Sequence, residues 1–155
     1  MKVLLILLFP LYAFSQSYEK SKDEYLKESY VRYYDRDAGI IIQKTIPFNN
    51  DTAGIFYEVA LIMVKGERSI DDIMKKRGVI VFDDKSILVF YDQVSFDFLM
   101  EGKRQYSVKH RLTNDELFLL QTKIIDLINL VGVSNKLDKW QKQTYLKVFT
   151  QITRQ

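Results

Sequence analysis

A run of short apolar segments between Val79 and His110 constrains the fold of this chain more than any other feature. Brief polar stretches separate segments that are either apolar or alternate between apolar and polar residues. The segments are Val79–Phe82, Ile87–Tyr91, Val94–Met100 and Arg104–His110. Because connections this short join antiparallel strands in hairpins, the region predicts an antiparallel β-meander.

Two further strands are predicted upstream of the meander. The segment 39–46 is rich in β-branched residues and ends at Pro47, which has no amide proton to donate to a sheet. The segment 55–64 is apolar apart from Glu58, as expected of a well-buried strand. Both segments add strands to the predicted sheet.

A short helix is predicted near residues 69–77, between these strands and the meander. Ser69 has the side chain of a helix N-cap, and Gly78 follows the last turn as a stop. Ile70, Ile73 and Met74 have the spacing of one helical face. We therefore expect a short helix inserted into an otherwise β-rich region.

A longer amphipathic helix is predicted over residues 114–131. Thr113 and Glu116 have the spacing of a capping box, in which each side chain bonds the other residue's backbone amide. Apolar residues then recur at helical spacing as far as Val131, and Gly132 follows. We expect this helix to pack on one face of the sheet.

The last segment, residues 134–155, fits two interpretations. Its apolar residues form a helical stripe from Leu137 to Ile152, but β-branched and aromatic residues also alternate near the end. Propensity favours a helix over Lys136–Lys142 followed by a strand over Tyr145–Thr153. The prediction for residues 38–155 is a single α+β domain.

Residues 16–37 precede that domain and are charged and rich in tyrosine. We expect an irregular or partly helical lead-in that becomes a strand at Tyr30–Tyr34, where tyrosine and valine favour extended structure.

Residues 1–15 resemble a secretory signal peptide of the bacterial type. Lys2 precedes the apolar stretch Val3–Tyr12, and Ala13 and Ser15 are small residues at the positions that a signal peptidase requires. The stretch is too short to span a bilayer as a helix. The sequence therefore predicts export, cleavage before Gln16, a periplasmic or secreted protein, and no transmembrane anchor.

Composition excludes several classes of function. The chain has no cysteine and one histidine, so thiol chemistry and metal sites with two histidines within one chain are ruled out. Its six glycines are scattered and form no phosphate-binding loop. A net charge of +3 gives no reason to expect a nucleic-acid partner. No cofactor and no metal site are predicted.

His110 and several carboxylates are the remaining candidates for chemistry. Lys109 and Arg111 flank His110 and are expected to lower its pKa, which favours an exposed, neutral histidine at a strand end. A hydrolase acting on polysaccharide would need two facing carboxylates. The available candidates are Glu58, Asp83, Asp84, Asp92 and Asp97, which are more typical of turns and solvated strand faces.

Tyrosine provides the candidate binding residues. Tyr30, Tyr33 and Tyr34 lie close together near the start of the predicted mature chain. Their rings would offer flat faces to a sugar or a rigid surface to a protein. Half-buried strands also favour tyrosine, so core packing is the competing interpretation.

These observations favour a non-catalytic, exported binding module for an unknown protein or glycan. One alternative is a carboxylate-based hydrolase acting on polysaccharide. The other is an inhibitor or structural component of an envelope assembly.

Overall fold

Antiparallel strands dominate the computed structural model, which describes residues 16–23, 28–35, 39–47, 54–66, 77–98 and 103–154. The strands in these ranges are β1 (Gln16–Asp23), β2 (Glu28–Asp35), β3 (Ile40–Pro47), β4 (Phe56–Gly66), β5 (Gly78–Phe82), β6 (Ile87–Phe90), β7 (Ser95–Phe98), β8 (Lys103–Arg111), β9 (Ile125–Leu130) and β10 (Val133–Lys136). The helices are α1 (Asn114–Thr122) and α2 (Lys139–Ile152). The predicted α+β class is confirmed.

The strands form two antiparallel sheets. Six strands make up the larger sheet in the order β1-β2-β3-β4-β8-β7, and four make up the smaller sheet in the order β10-β9-β5-β6. The predicted strands at 39–46 and 55–64 are confirmed as β3 and β4, which pair with each other. The predicted leader lies outside the described residues, as do residues 69–76 of the predicted helix near 69–77.

The four strands of the predicted meander exist and two of its three hairpins are confirmed, but β6 and β7 do not pair. β5 and β6 form a hairpin in the smaller sheet, whereas β7 and β8 form a hairpin in the larger one. Residues 91–94 cross from one sheet to the other. A short polar separator permits either a hairpin or a crossing, and its sequence does not distinguish them. Phe90 before the crossing and Val94 at its end are both buried, so the core holds the crossing at both ends.

The segment 16–37 contains more regular structure than predicted. Strands β1 and β2 pair with each other, and β2 pairs with β3, so this segment extends the larger sheet. The predicted strand at Tyr30–Tyr34 lies within β2. The irregular or partly helical lead-in before it was wrong, because pairing with a neighbouring strand outweighs the weak helical preference of its charged residues.

The predicted helix over 114–131 is also wrong in its second half. The capping box at Thr113 and Glu116 is confirmed, but α1 ends at Thr122, and Lys123 already has extended backbone angles. The following residues form β9, which pairs with both β5 and β10. Val131 and Gly132 have φ angles of 53° and 70°, as in the tight turns of β-hairpins. Gly132 thus belongs to a hairpin turn and not to a helix end.

At the end of the chain, α2 replaces the predicted helix and strand with one continuous helix. The strand predicted over Tyr145–Thr153 is therefore wrong. Tyr145, Phe149 and Ile152 are buried and have the spacing of one helical face, so tertiary packing overrides their strand propensity. Asp138 caps the helix through a second capping box with Gln141.

Buried side chains from both sheets and both helices belong to one hydrophobic cluster. Gly78 allows the sheets to approach closely, since a Cβ atom there would lie 2.6 Å from Cγ1 of Val108 in β8. The approach joins the hairpin of β5 and β6 to the end of β8 where His110 lies.

Candidate functional site

The most organised polar cluster in the described residues surrounds His110, next to the last residue of β8. Its Nδ1 atom lies 2.5 Å from Oδ2 of Asp92, in the crossing after β6. Its Nε2 atom lies 3.0 Å from Oε2 of Glu116, in the first turn of α1. We call His110, Asp92 and Glu116 the His110 clamp, because the imidazole joins three separate elements of the fold.

Phe90 packs against one face of the His110 ring. The two rings are stacked, with centroids 4.7 Å apart and planes inclined by 14°. Phe90 is fully buried, whereas the side chain of His110 is 17% exposed. This contact fixes the plane of the imidazole and aims its two nitrogens at the two carboxylates.

Glu116 also belongs to the capping box at the start of α1. The Thr113 backbone amide donates to its Oε2 atom at 2.8 Å, and the Thr113 hydroxyl donates to the same atom at 2.9 Å. In return, the Glu116 amide donates to the hydroxyl of Thr113. The capping box and the His110 clamp therefore share one carboxylate.

The clamp favours the protonated imidazole. Partial burial opposes the charge, but hydrogen bonds to Asp92 and Glu116, with the charges of those carboxylates, outweigh it and raise the pKa of His110. Burial also opposes ionisation of Glu116, but hydrogen bonds from Thr113 and His110 outweigh it and lower the pKa of that carboxyl.

The expected lowering of the His110 pKa by its flanking cations was wrong. Lys109 forms a salt bridge with Glu58 at 2.8 Å, and the Arg111 guanidinium lies over the Phe56 ring at 4.1 Å. Successive residues of a strand point to opposite faces, so both cations lie across the sheet from the imidazole. The Glu58 carboxylate offsets the charge of Lys109, and the charge of Arg111 lies over the Phe56 ring.

The geometry limits what His110 can do chemically. A general base needs a free nitrogen lone pair, whereas both ring nitrogens of His110 face carboxylates. A protonated imidazole satisfies both contacts as a double donor. The clamp is therefore suited to holding elements together through a charge.

Most carboxylates considered in the sequence analysis are placed separately. Glu58 binds Lys109, Asp84 binds Lys123 at 2.6 Å, and Asp92 binds His110. Asp83 and Asp97 are exposed, one in a turn and the other on the edge strand β7. The pKa of Asp84 is lowered, first by its hydrogen bond from Lys123. The pKa of Asp126 is likewise lowered, first by its hydrogen bond from Lys142.

An exposed aromatic residue adjoins the clamp. Tyr91, next to Asp92, is 70% exposed, and the Arg77 guanidinium lies 4.2 Å from its ring centroid. The pairing of Gly78 with Phe90 places these two residues opposite each other at the open end of the hairpin. We call them the Tyr91–Arg77 pair. Sequence reasoning missed both this pair and the clamp, since only the strand register brings their members together.

The predicted tyrosine site is only partly described. Tyr33 is 8% exposed, and its ring makes an edge contact with Tyr145 at 6.0 Å. It therefore belongs to the core and not to an exposed binding surface, in agreement with the competing interpretation of core packing. Tyr30 and Tyr34 lie on β2, paired with Thr45 and Ile41, and their side chains lie outside the described structure. A binding role for these two tyrosines stays a prediction.

Lys44 is an unusual buried cation on β3. It is 5% exposed, and its ammonium lies 5.9 Å from the ring centroid of Tyr57. Burial lowers the pKa of Lys44 and raises the pKa of Tyr57. The aromatic face compensates only part of the desolvation of the charge.

No family model, curated protein or solved structure matches this chain. Within the described ranges, no three His, Asp or Glu side chains converge on a point where a metal ion would be bound. Neither α1 nor α2 combines the length and apolar character needed to cross a bilayer. The functional interpretation therefore depends on the chemistry of the clamp and its surroundings.

Proposed function

We propose that this chain is an exported, non-catalytic binding module that recognises a protein partner through the Tyr91–Arg77 pair and the adjoining His110 clamp. Export is supported by the leader-like residues 1–15. The binding role is supported by the surface beside the clamp.

The observation that carries the proposal is the exposure of Tyr91 beside Arg77. Tyrosine and arginine are enriched among the residues that dominate binding energy in protein interfaces. The stacking contact restrains both side chains before a partner arrives, which reduces the entropy lost on binding. The charged clamp beside them supplies the polar surroundings typical of such a centre.

A protein partner fits this surface better than a glycan. Arg77 covers one face of the Tyr91 ring, so only the other face is left for stacking on a sugar. Protein interfaces, in contrast, use the guanidinium and the ring together as one anchor. Binding to polysaccharide in place of protein would be a different function, and the experiment below distinguishes the two.

The non-catalytic assignment is supported by the clamp itself. Both ring nitrogens of its histidine face carboxylates, and the pKa of Glu116 is lowered, in contrast to that of a general acid. A hydrolase of the carboxylate type needs such a group together with a second carboxylate across a cleft. No observation on the described residues favours that alternative.

The test uses residues 16–155 as bait against the envelope fraction and medium of the source cells. Tyr91→Ala and Arg77→Ala should each lose a partner that the parent protein retains. Trp140→Ala is the matched control, because Trp140 is also an exposed aromatic residue, at 51%, but lies on α2. Equal retention by all variants would contradict the proposed surface, and binding only to immobilised polysaccharide would replace the protein partner with a glycan.

Export has a separate test. Expression of the full chain in a bacterial host should yield a periplasmic or secreted protein whose N-terminal sequence begins at Gln16. Retention of Met1 on a protein in the cytosol would contradict export without affecting the binding test.

A further inference from the structure

We propose that the His110 clamp is a proton-dependent latch, which holds the crossing at residues 91–94 against β8 and the start of α1 while His110 is protonated and releases it on deprotonation. The latch is a property of the fold. It does not depend on the proposed function, and its test needs no partner.

The latch follows from the hydrogen-bond capacity of imidazole. A protonated ring has two N–H donors, which match the carboxylates at 2.5 Å and 3.0 Å. A neutral ring has one N–H, so its other nitrogen presents a lone pair to a carboxylate. Loss of one proton therefore replaces an attractive contact with a repulsive one.

The two carboxylates differ in what else holds them. Glu116 keeps two hydrogen bonds from Thr113 in either state of the histidine, so the start of α1 remains capped. In the described part of the chain, His110 provides the one hydrogen bond to the Asp92 side chain. The crossing at residues 91–94 is consequently the element that deprotonation releases.

Other charges near the clamp do not supply a substitute. On β8, Lys109 pairs with Glu58 across the sheet and Arg111 stacks on Phe56. From the smaller sheet, β6 contributes the uncharged ring of Phe90. From β4, the residue paired with His110 is the apolar Val59. Among the residues that the structure describes, the charged groups that contact the imidazole are therefore Asp92 and Glu116.

The direction of the pH effect follows from linkage. His110 titrates near 6.5 in an unfolded chain and at a higher pH in the folded one. Its contribution is therefore complete below about pH 6.5 and is lost as the pH rises through the folded value. The contribution of Glu116 to stability has the opposite pH dependence. Because the pKa of Glu116 is lowered, this contribution is lost only at acidic pH. The latch is strongest between these two ranges.

The experiment benefits from the presence of a single histidine in the chain. In untagged protein, the ring carbon-bound protons of His110 give unambiguous NMR signals whose pH titration measures its pKa. We expect a value above 6.5 in the parent protein and a shift back towards 6.5 in Asp92→Asn. Asp84→Asn is the matched control, because that carboxylate pairs with Lys123 far from the clamp and should leave the titration unchanged.

Backbone 15N relaxation supplies the readout of release. The order parameters of the Asp92, Gln93 and Val94 amides should fall as His110 loses its proton, while that of Leu117, whose amide donates to the Thr113 carbonyl, persists. His110→Phe preserves a ring beside Phe90 and should remove this pH dependence. A histidine pKa at or below 6.5, or order parameters at residues 92–94 that stay unchanged across the titration, would overturn the latch. If His110→Phe fails to fold, the histidine pKa measured in Asp92→Asn tests the latch independently.

Discussion

Helix α1 is held at both ends by contacts between charged groups, and the two ends respond differently to their surroundings. At its start, Glu116 meets the partly buried His110, which is stacked on a core phenylalanine. At its end, Lys123 binds Asp84 and Ser86 in the turn between β5 and β6. The Asp84 side chain there is half exposed. The contact at the start of α1 therefore depends on core packing and on pH near neutrality. The contact at the end of α1 is largely exposed to solvent.

The difference shows that burial and partner type, more than the number of charges, decide what a polar contact does. Water and salt screen the Lys123 contact, because its side chains are partly exposed. The histidine contact is shielded by Phe90 and involves a group that titrates in the neutral range. The predictions below test this contrast from the largest expected effect to the smallest.

Removing the Phe90 ring, which packs against His110, should have the largest effect. Phe90 is fully buried, so Phe90→Ala should lower the free energy of unfolding by about 3 to 5 kcal/mol. Urea denaturation measures the loss. Phe118→Ala is the control, because this exposed phenylalanine of α1 should cost about 0.5 kcal/mol or less. Similar losses in the two variants would show that the clamp is not supported by the core.

Two substitutions of Glu116 separate helix capping from the clamp. Glu116→Ala removes both and should cost about 2 to 3 kcal/mol. Glu116→Gln retains a side chain that serves capping boxes but removes the charge, so it should cost less and lower the pKa of His110. Urea denaturation and histidine NMR measure the two effects. An equal cost for both variants would mean that the cap contributes nothing beyond the charge.

The pH dependence of stability should distinguish the two ends of α1. Since the folded pKa of His110 is raised, the free energy of unfolding should fall as the pH rises above about 6.5 and through the pKa of the folded histidine. His110→Gln should flatten this dependence, whereas Lys123→Met should leave its slope unchanged. Urea titrations across the range provide the measurement. A wild-type curve without a slope would contradict the assigned charge of the clamp.

Breaking the contact at the far end of α1 should have the smallest effect. Asp84→Asn removes the salt bridge with Lys123, but both side chains are partly solvated. The loss should be small and should shrink further as salt is added. Thermal unfolding at low and high ionic strength is the measurement. A loss as large as that of Glu116→Ala would mean that the two ends are equivalent.

The sequence predicted features that depend on neighbouring residues. Thr113 and Glu116 are three residues apart, and their capping box was visible as a pattern. Asp138 and Gln141 have the same spacing and cap α2, but β-branched and aromatic residues later in the segment favoured a strand over Tyr145–Thr153. The clamp was invisible, because Asp92 lies 18 residues from His110 and joins it only through the packing of two sheets.

By itself, the sequence determined the α+β class, the positions of most strands in the 39–110 region and the start of α1, because these depend on local periodicity and backbone capping. The tertiary structure decided which hairpin joined which sheet, where α1 ended and how the last segment folded. It also decided the charge state that His110 favours. Each of these depends on burial and on contacts between distant residues, where core packing and carboxylate partners outweigh local propensity and the charges of adjacent residues.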